Sequence, residues 1–71
     1  MGWQAVKIQL NGKEQEIEKV LSIKALLEGL KINAETVVVE HNLCIVKKAL
    51  YPETILREND CVEILSFMGG G

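Results

Sequence analysis

The pair Asn11-Gly12, set between two alternating runs, limits the folds open to this chain more than any other feature. From Ala5 to Leu10, Val6, Ile8 and Leu10 share one face while Lys7 and Gln9 share the other. That is the period-two pattern of a half-buried strand. Asn-Gly suits a type I′ turn, whose two central residues both need positive φ. Lys13 to Lys19 then alternates again, with Ile17 inward and Glu14, Glu16 and Glu18 outward. The two runs predict an antiparallel hairpin, and the outward acidic row reads as a wet face that discourages edge pairing.

Beyond the hairpin the period changes. Ser22 offers a helix N-cap, and Ile23, Leu26, Leu27 and Leu30 fall at i, i+3, i+4 and i+7, one apolar stripe. The spacing predicts a short helix over Ser22 to Leu30, with Gly29 and then Asn33 as its stops. Burying each of those side chains is worth about 1.5–3 kcal/mol, so the stripe must face a sheet. Thr36 to Glu40 reads as a strand with Val37 and Val39 on one face, His41-Asn42 as a turn, and Leu43 to Val46 as a short partner strand. Lys47 to Glu53 is irregular, with Pro52 expected to force Tyr51 out of the helical region. Ile55 and Leu56 are expected under the sheet. Glu58-Asn59-Asp60 is a polar turn, and Cys61 to Phe67 is the last strand, with Val62 and Ile64 inward and Glu63, Leu65 and Phe67 on the other face.

The order β-β-α-β-(β)-β has a natural solution. One helix packs on one face of a mixed sheet, with the first and last strands parallel in its centre. The expectation is an α+β chain of the β-grasp, ubiquitin-like type, a four- to five-stranded mixed sheet on one short helix. Residues 1–67 would form the β-grasp domain and residues 68–71 a flexible glycine tail of the same domain.

Composition narrows the function. With 71 residues, 48% hydrophobic and 25% charged, the chain is globular, and near the size at which a single core only just suffices. A net charge of −2 without any Lys/Arg block argues against nucleic acid. No apolar run approaches the ~20 residues of a membrane span, and the start shows no basic and apolar signal segment. A soluble, cytoplasmic protein is the expectation. The two cysteines, Cys44 and Cys61, form no C-x-x-C, and with one histidine they are too few for a zinc or iron–sulfur site. They read as reduced, partly buried thiols, with a disulfide as the lesser alternative and no metal expected. His41 finds no second titrating group nearby in sequence and reads as a solvated turn residue. Trp3 reads as packing or a tether.

The chain ends Phe67-Met68-Gly69-Gly70-Gly71. By itself a glycine run is a frayed end, since it buries nothing and is costly to order. Extended, four residues reach about 13–14 Å, enough for an α-carboxylate to enter a narrow channel in another protein.

Taken together, several stretches resemble one family. Lys7-Ile8-Gln9-Leu10-Asn11-Gly12, Leu26-Leu27, Val37-Val38-Val39-Glu40-His41-Asn42, Leu56-Arg57-Glu58-Asn59-Asp60-Cys61-Val62-Glu63-Ile64 and the closing glycines are similar, in that order, to the ubiquitin-like sulfur carriers. The likeness is greatest to the ThiS carriers of thiamine biosynthesis. Two departures stand out. Asn59-Asp60 replaces a common Gly-Asp, and His41 stands where a small or apolar residue is expected.

The resemblance implies a co-substrate rather than an enzyme, with no catalytic residue and no bound cofactor. An adenylyltransferase of the ubiquitin-activating type would use ATP and magnesium to adenylate the Gly71 carboxylate. A sulfur-transfer enzyme would then supply the sulfur of a terminal thiocarboxylate, which a thiazole synthase would consume. Gly69 and Gly70 would thread the partner active sites, and Leu65, Phe67 and Met68 would form a docking surface, rimmed by Glu63 and Arg57. The alternative for Phe67 is that it folds back over the core, and for Met68 that it is only a spacer. The alternatives for the whole chain are the small subunit of molybdopterin synthase, which tends to carry a proline before its glycines, and a ubiquitin-like interaction module with a chemically idle tail.

Overall fold

The computed structural model describes residues 5–17 and 20–67. Expectations that fall on Trp3, Glu18, Lys19, Met68, Gly69, Gly70 and Gly71 lie outside the described residues. The elements are β1 (Val6–Leu10), β2 (Lys13–Ile17), α1 (Ile23–Gly29), β3 (Val37–His41), β4 (Cys44–Ile45) and β5 (Cys61–Ser66), with single 3₁₀ turns at Ala34–Thr36 and Lys48–Leu50. They form one five-stranded sheet in the order β2-β1-β5-β3-β4. β1 and β5 run parallel, and the other pairings are antiparallel. This is the β-grasp arrangement expected from the pattern.

The hairpin forms as its turn chemistry dictates. Asn11 has φ 51° and Gly12 φ 82°, and Val6 pairs with Ile17 at the far end. Val6, Ile8, Ile17, Val37, Val39 and Val62 from the sheet meet Ile23, Leu26 and Leu27 of α1 in the core. Leu30, expected in that stripe, is 41% exposed, because it is the C-cap and lies past the last turn that faces the sheet.

The start of α1 is capped from two directions. The Ser22 hydroxyl accepts from the Ala25 amide at 3.1 Å, while the Ile23 and Lys24 amides donate to the carbonyls of Thr54 and Tyr51 at 2.9 and 3.1 Å. Three of the otherwise unpaired first-turn donors are thus satisfied, two of them by the loop that leads to β5. That strap decides what the loop buries. Leu56, whose amide donates to the Leu21 carbonyl at 2.8 Å, is fully buried, whereas its neighbour Ile55, bridged to Ser22, is 37% exposed rather than under the sheet.

Tyr51 differs from expectation as well. It lies in the helical region (φ −55°, ψ −43°) despite Pro52, and its ring is buried. Its amide closes the turn onto Lys48 and its carbonyl caps α1, so packing and hydrogen bonds override the local preference.

The helix ends at Gly29, one of the two expected stops, but the left-handed residue that closes it is neither Gly29 nor Asn33. The Lys31 amide donates to the Glu28 carbonyl and the Ile32 amide to Leu27, with Lys31 at φ 60°. This is a Schellman motif with lysine in the left-handed position usually held by glycine. Asn33 instead caps the following 3₁₀ turn through a 2.9 Å bond from the Glu35 amide. The β3–β4 turn sits one residue later than His41-Asn42: Asn42 (φ 52°) and Leu43 (φ 73°) occupy its centre.

Candidate functional site: the last strand and the open sheet face

β5 is the element that would carry the tail, and the fold grips it along its whole length. It lies between β1 and β3. At its start, Asn42 accepts the Cys61 amide on Oδ1 at 2.9 Å and donates its own amide to the Cys61 carbonyl at 2.8 Å. In its middle, Asn11 Oδ1 accepts the Ile64 amide at 2.7 Å. Each turn asparagine therefore serves twice, tolerating positive φ and anchoring the last strand. Bonding continues past β5, where the Phe67 amide donates to the Thr36 carbonyl at 3.1 Å. The chain is held up to Phe67, immediately before Met68.

Alternation along β5 sorts its side chains. Val62 is fully buried and Ile64 packs against the core, while Leu65 is 49% and Phe67 56% exposed. Phe67 does not close over the core. Opposite Leu65 in register is Val38 of β3, and opposite Glu63 is Glu40. Glu40 is in turn paired with Ile45 of β4, 69% exposed. On the β5–β3–β4 part of the sheet face away from α1, an apolar strip of Val38, Leu65 and Phe67 thus lies beside two carboxylates. The sequence marked Leu65 and Phe67 but not Val38, Glu40 or Ile45. Their alternation in β3 and β4 was readable, yet only the β3–β5 register puts them beside the pair. Arg57, expected on the rim, is in the turn before β5, at the other end of the strand.

Behind the start of β5 lies the most connected polar group of the described chain. Asp60 Oδ2 is 2.7 Å from His41 Nε2 and accepts the Arg57 amide at 2.9 Å, while Oδ1 accepts from Asn42 Nδ2 at 3.2 Å. His41 is therefore paired, not a solvated turn residue. Burial pushes the Asp60 carboxyl up, but the hydrogen bonds from His41, Arg57 and Asn42, with the charge of His41, outweigh it and hold the group below the usual carboxylate range. Asn59, before it, sits at φ 70°, a left-handed conformation that asparagine accepts more readily than most residues. Both cysteines are free, and both are exposed rather than partly buried, because Cys61 alternates outward with Val62 inward and Cys44 lies on the short edge strand β4.

Elsewhere, a groove of about 470 Å³ between β2 and α1, lined by Ile17, Leu21, Leu26 and Leu30, lies at the far edge of the sheet from β4. Among the described residues, no group of three or more His, Cys, Asp or Glu could hold a metal ion, and no helix is long and apolar enough to cross a membrane.

With this arrangement in hand, the comparisons with known proteins are decisive. A family model described as the ThiS family matches residues 8–71. The chain belongs to the ThiS family. It is 38% identical over 65 residues to the sulfur carrier protein ThiS of Bacillus subtilis (strain 168), covering 90% of this chain and 98% of that one. The crystal structure of the thiamine biosynthesis protein ThiS from Geobacter metallireducens is similar at a TM-score of 0.81 and 35% identity, over 93% of this chain and 100% of that one. A thiazole synthase of Magnetococcus marinus is 38% identical over 66 residues, which are 93% of this chain but 20% of that protein. This ThiS-family chain thus spans a fifth of the thiazole synthases that it matches. The resemblance to ubiquitin-like carriers of the ThiS type holds, in fold and in family.

Proposed function

We propose that the chain is a sulfur carrier of thiamine biosynthesis whose reacting group is the Gly71 α-carboxylate. The observation that carries the reading is the ThiS-family match, which runs through the terminal glycines. The hydrogen bonding of β5 up to Phe67 supports it, since a strand held to its last residue sets the direction in which a following tail leaves.

In this reading the protein is a reactant and the catalysts are its partners. A carboxylate is a poor electrophile. An adenylyltransferase of the ubiquitin-activating type, with ATP and magnesium, joins the Gly71 carboxylate to AMP and releases pyrophosphate. Sulfur at the oxidation level of hydrosulfide, delivered by a sulfur-transfer enzyme, then displaces AMP, which leaves with one of the former carboxylate oxygens. The resulting thiocarboxylate is a soft nucleophile that donates sulfur to a thiazole synthase. The same end group must enter two active sites in turn, and Gly69 and Gly70 provide a stalk without Cβ atoms to meet the channel walls. Leu65, Phe67 and Met68 dock the carrier while the stalk is threaded. Association of a ThiS-like segment with a thiazole synthase within one protein favours that partner.

Coexpression with an activating enzyme and a sulfur source, followed by intact mass, tests the reading. The expected product has one terminal oxygen replaced by sulfur, and deletion of Gly70-Gly71 abolishes it. An unmodified mass beside a competent activating enzyme would instead favour an interaction module with an idle tail. Complementation of a thiamine rather than a molybdopterin auxotroph fixes the pathway.

A further inference from the structure

Glu40 of β3 stands directly opposite Glu63 of β5 in the antiparallel register, so the two carboxylates leave the sheet side by side. They leave on the open face, because the residues that alternate with them, Val39 and Val62, are fully buried against the helix side. Like charges directly opposite on a sheet are destabilising. Among the described residues no ion pair relieves these two, since the pairs formed are Lys7–Glu14, His41–Asp60 and Lys48–Glu35. Lys7, on the same face of β1, lies toward the other end of β5, where its amide donates to Glu58 and its ammonium is engaged by Glu14.

Their surroundings are apolar in two directions. Val38 and Leu65 form the next cross-strand pair toward Phe67, and Ile45 lies across from Glu40 on β4. A partner that covers the apolar strip must take water from the carboxylates. Two unpaired charges under a contact would cancel much of what the strip contributes. One cation between them changes the sign, because it relieves their mutual repulsion and replaces the lost water.

We propose that Glu40 and Glu63 form a two-carboxylate seat for a single arginine or lysine of a thiazole synthase, beside the apolar strip of Val38, Leu65 and Phe67. The inference rests on the sulfur-carrier reading and adds to it the charge that the partner must present. Arginine fits best, since its planar guanidinium offers five donors and can bridge two carboxylates. The seat also selects. A protein with a matching apolar face but no cation would leave both charges buried and unpaired.

Binding of the full chain to purified thiazole synthase from the same organism, by calorimetry at low and high salt, tests the seat. Glu40→Gln and Glu63→Gln should each weaken binding about tenfold, and the double variant should lose most of the salt dependence. Chemical denaturation should find all three at least as stable as the parent, because the repulsion is gone. Double-variant binding within twofold of the parent would overturn the seat, and so would a loss of stability that parallels the loss of affinity. Absence of binding by the unaltered chain would instead count against the thiazole synthase as partner, and would take the seat with it. The conversion of Gly71 by the activating enzyme is read separately, so failure of the carrier reading remains distinguishable.

Discussion

His41 and Asp60, nineteen residues apart in the chain, meet at 2.7 Å between Nε2 and Oδ2, with side chains 22% and 14% exposed. The contact joins the end of β3 to the turn that starts β5, and the Arg57 amide and Asn42 complete the carboxylate's set of donors. Hydrogen bonds to a charged acceptor are worth about 1.5–3 kcal/mol in net terms. Asp60→Ala should therefore destabilise the fold by about that amount, as read by urea denaturation.

The same carboxylate gives a pH signature. Its pKa in the fold lies below the ordinary carboxylate value, despite burial, through bonds from His41, Arg57 and Asn42. A depressed folded-state pKa contributes stability that is fully present above the unfolded value of about 3.9. The contribution disappears as pH falls through the lower folded value. The stability gap between the parent and Asp60→Asn should thus be widest near neutrality and narrow below about pH 4. A gap that stays constant down to pH 2 would assign the effect to shape rather than charge.

Glycine stands in the wrong place at the end of α1. Gly29 is helical, and a Cβ built on it meets nothing within 4 Å, whereas Lys31 carries φ 60°. Gly29→Ala should stabilise by about 1 kcal/mol, and Lys31→Gly by a similar ~1 kcal/mol, since a left-handed L-residue costs roughly that much. Leu43→Gly belongs with them, at φ 73° with its side chain 89% exposed. Being well separated, the helix and turn substitutions should add in a denaturation series.

These cases show what the sequence made legible. Val6, Ile8 and Leu10, or Ile23, Leu26 and Leu27, repeat at the period of their element, and each repeat points at the same core. Leu65 and Phe67 declared their face in the same way. Lys31 and Leu43 were not legible, because tertiary packing imposes a backbone conformation that neither residue favours. Nor was the meeting of His41 with Asp60, or of Glu40 with Glu63. Each depends on strand register, which a single strand's pattern does not contain.

Leu56 and Ile55 offer a sharper test of the strap over α1. Leu56 is fully buried, though it lies in no helix or strand, and Ile55 beside it is 37% exposed. Leu56→Ala should cost about 2–5 kcal/mol, comparable with the ~3–5 kcal/mol that one small core supplies. That variant should be largely unfolded by circular dichroism at room temperature. Ile55→Ala should stay folded, and equal losses at the two sites would mean that the strap does not discriminate between them.

Leu65 and Phe67 are about half exposed, at 49% and 56%, and their neighbours in the strand hold the core. Replacing either with Ser should change stability by no more than about 0.5 kcal/mol, the range of ordinary surface substitutions. If the strip docks the carrier, the same variants should slow conversion of the Gly71 carboxylate at limiting activating enzyme. Raising the enzyme concentration should then restore the rate, because docking affects association and leaves the reacting atoms untouched. Deletion of Gly70-Gly71 should not be rescued at any concentration. A Leu65→Ser, Phe67→Ser double variant that is converted as fast as the parent would move docking off this face, with the chemistry of the tail left intact.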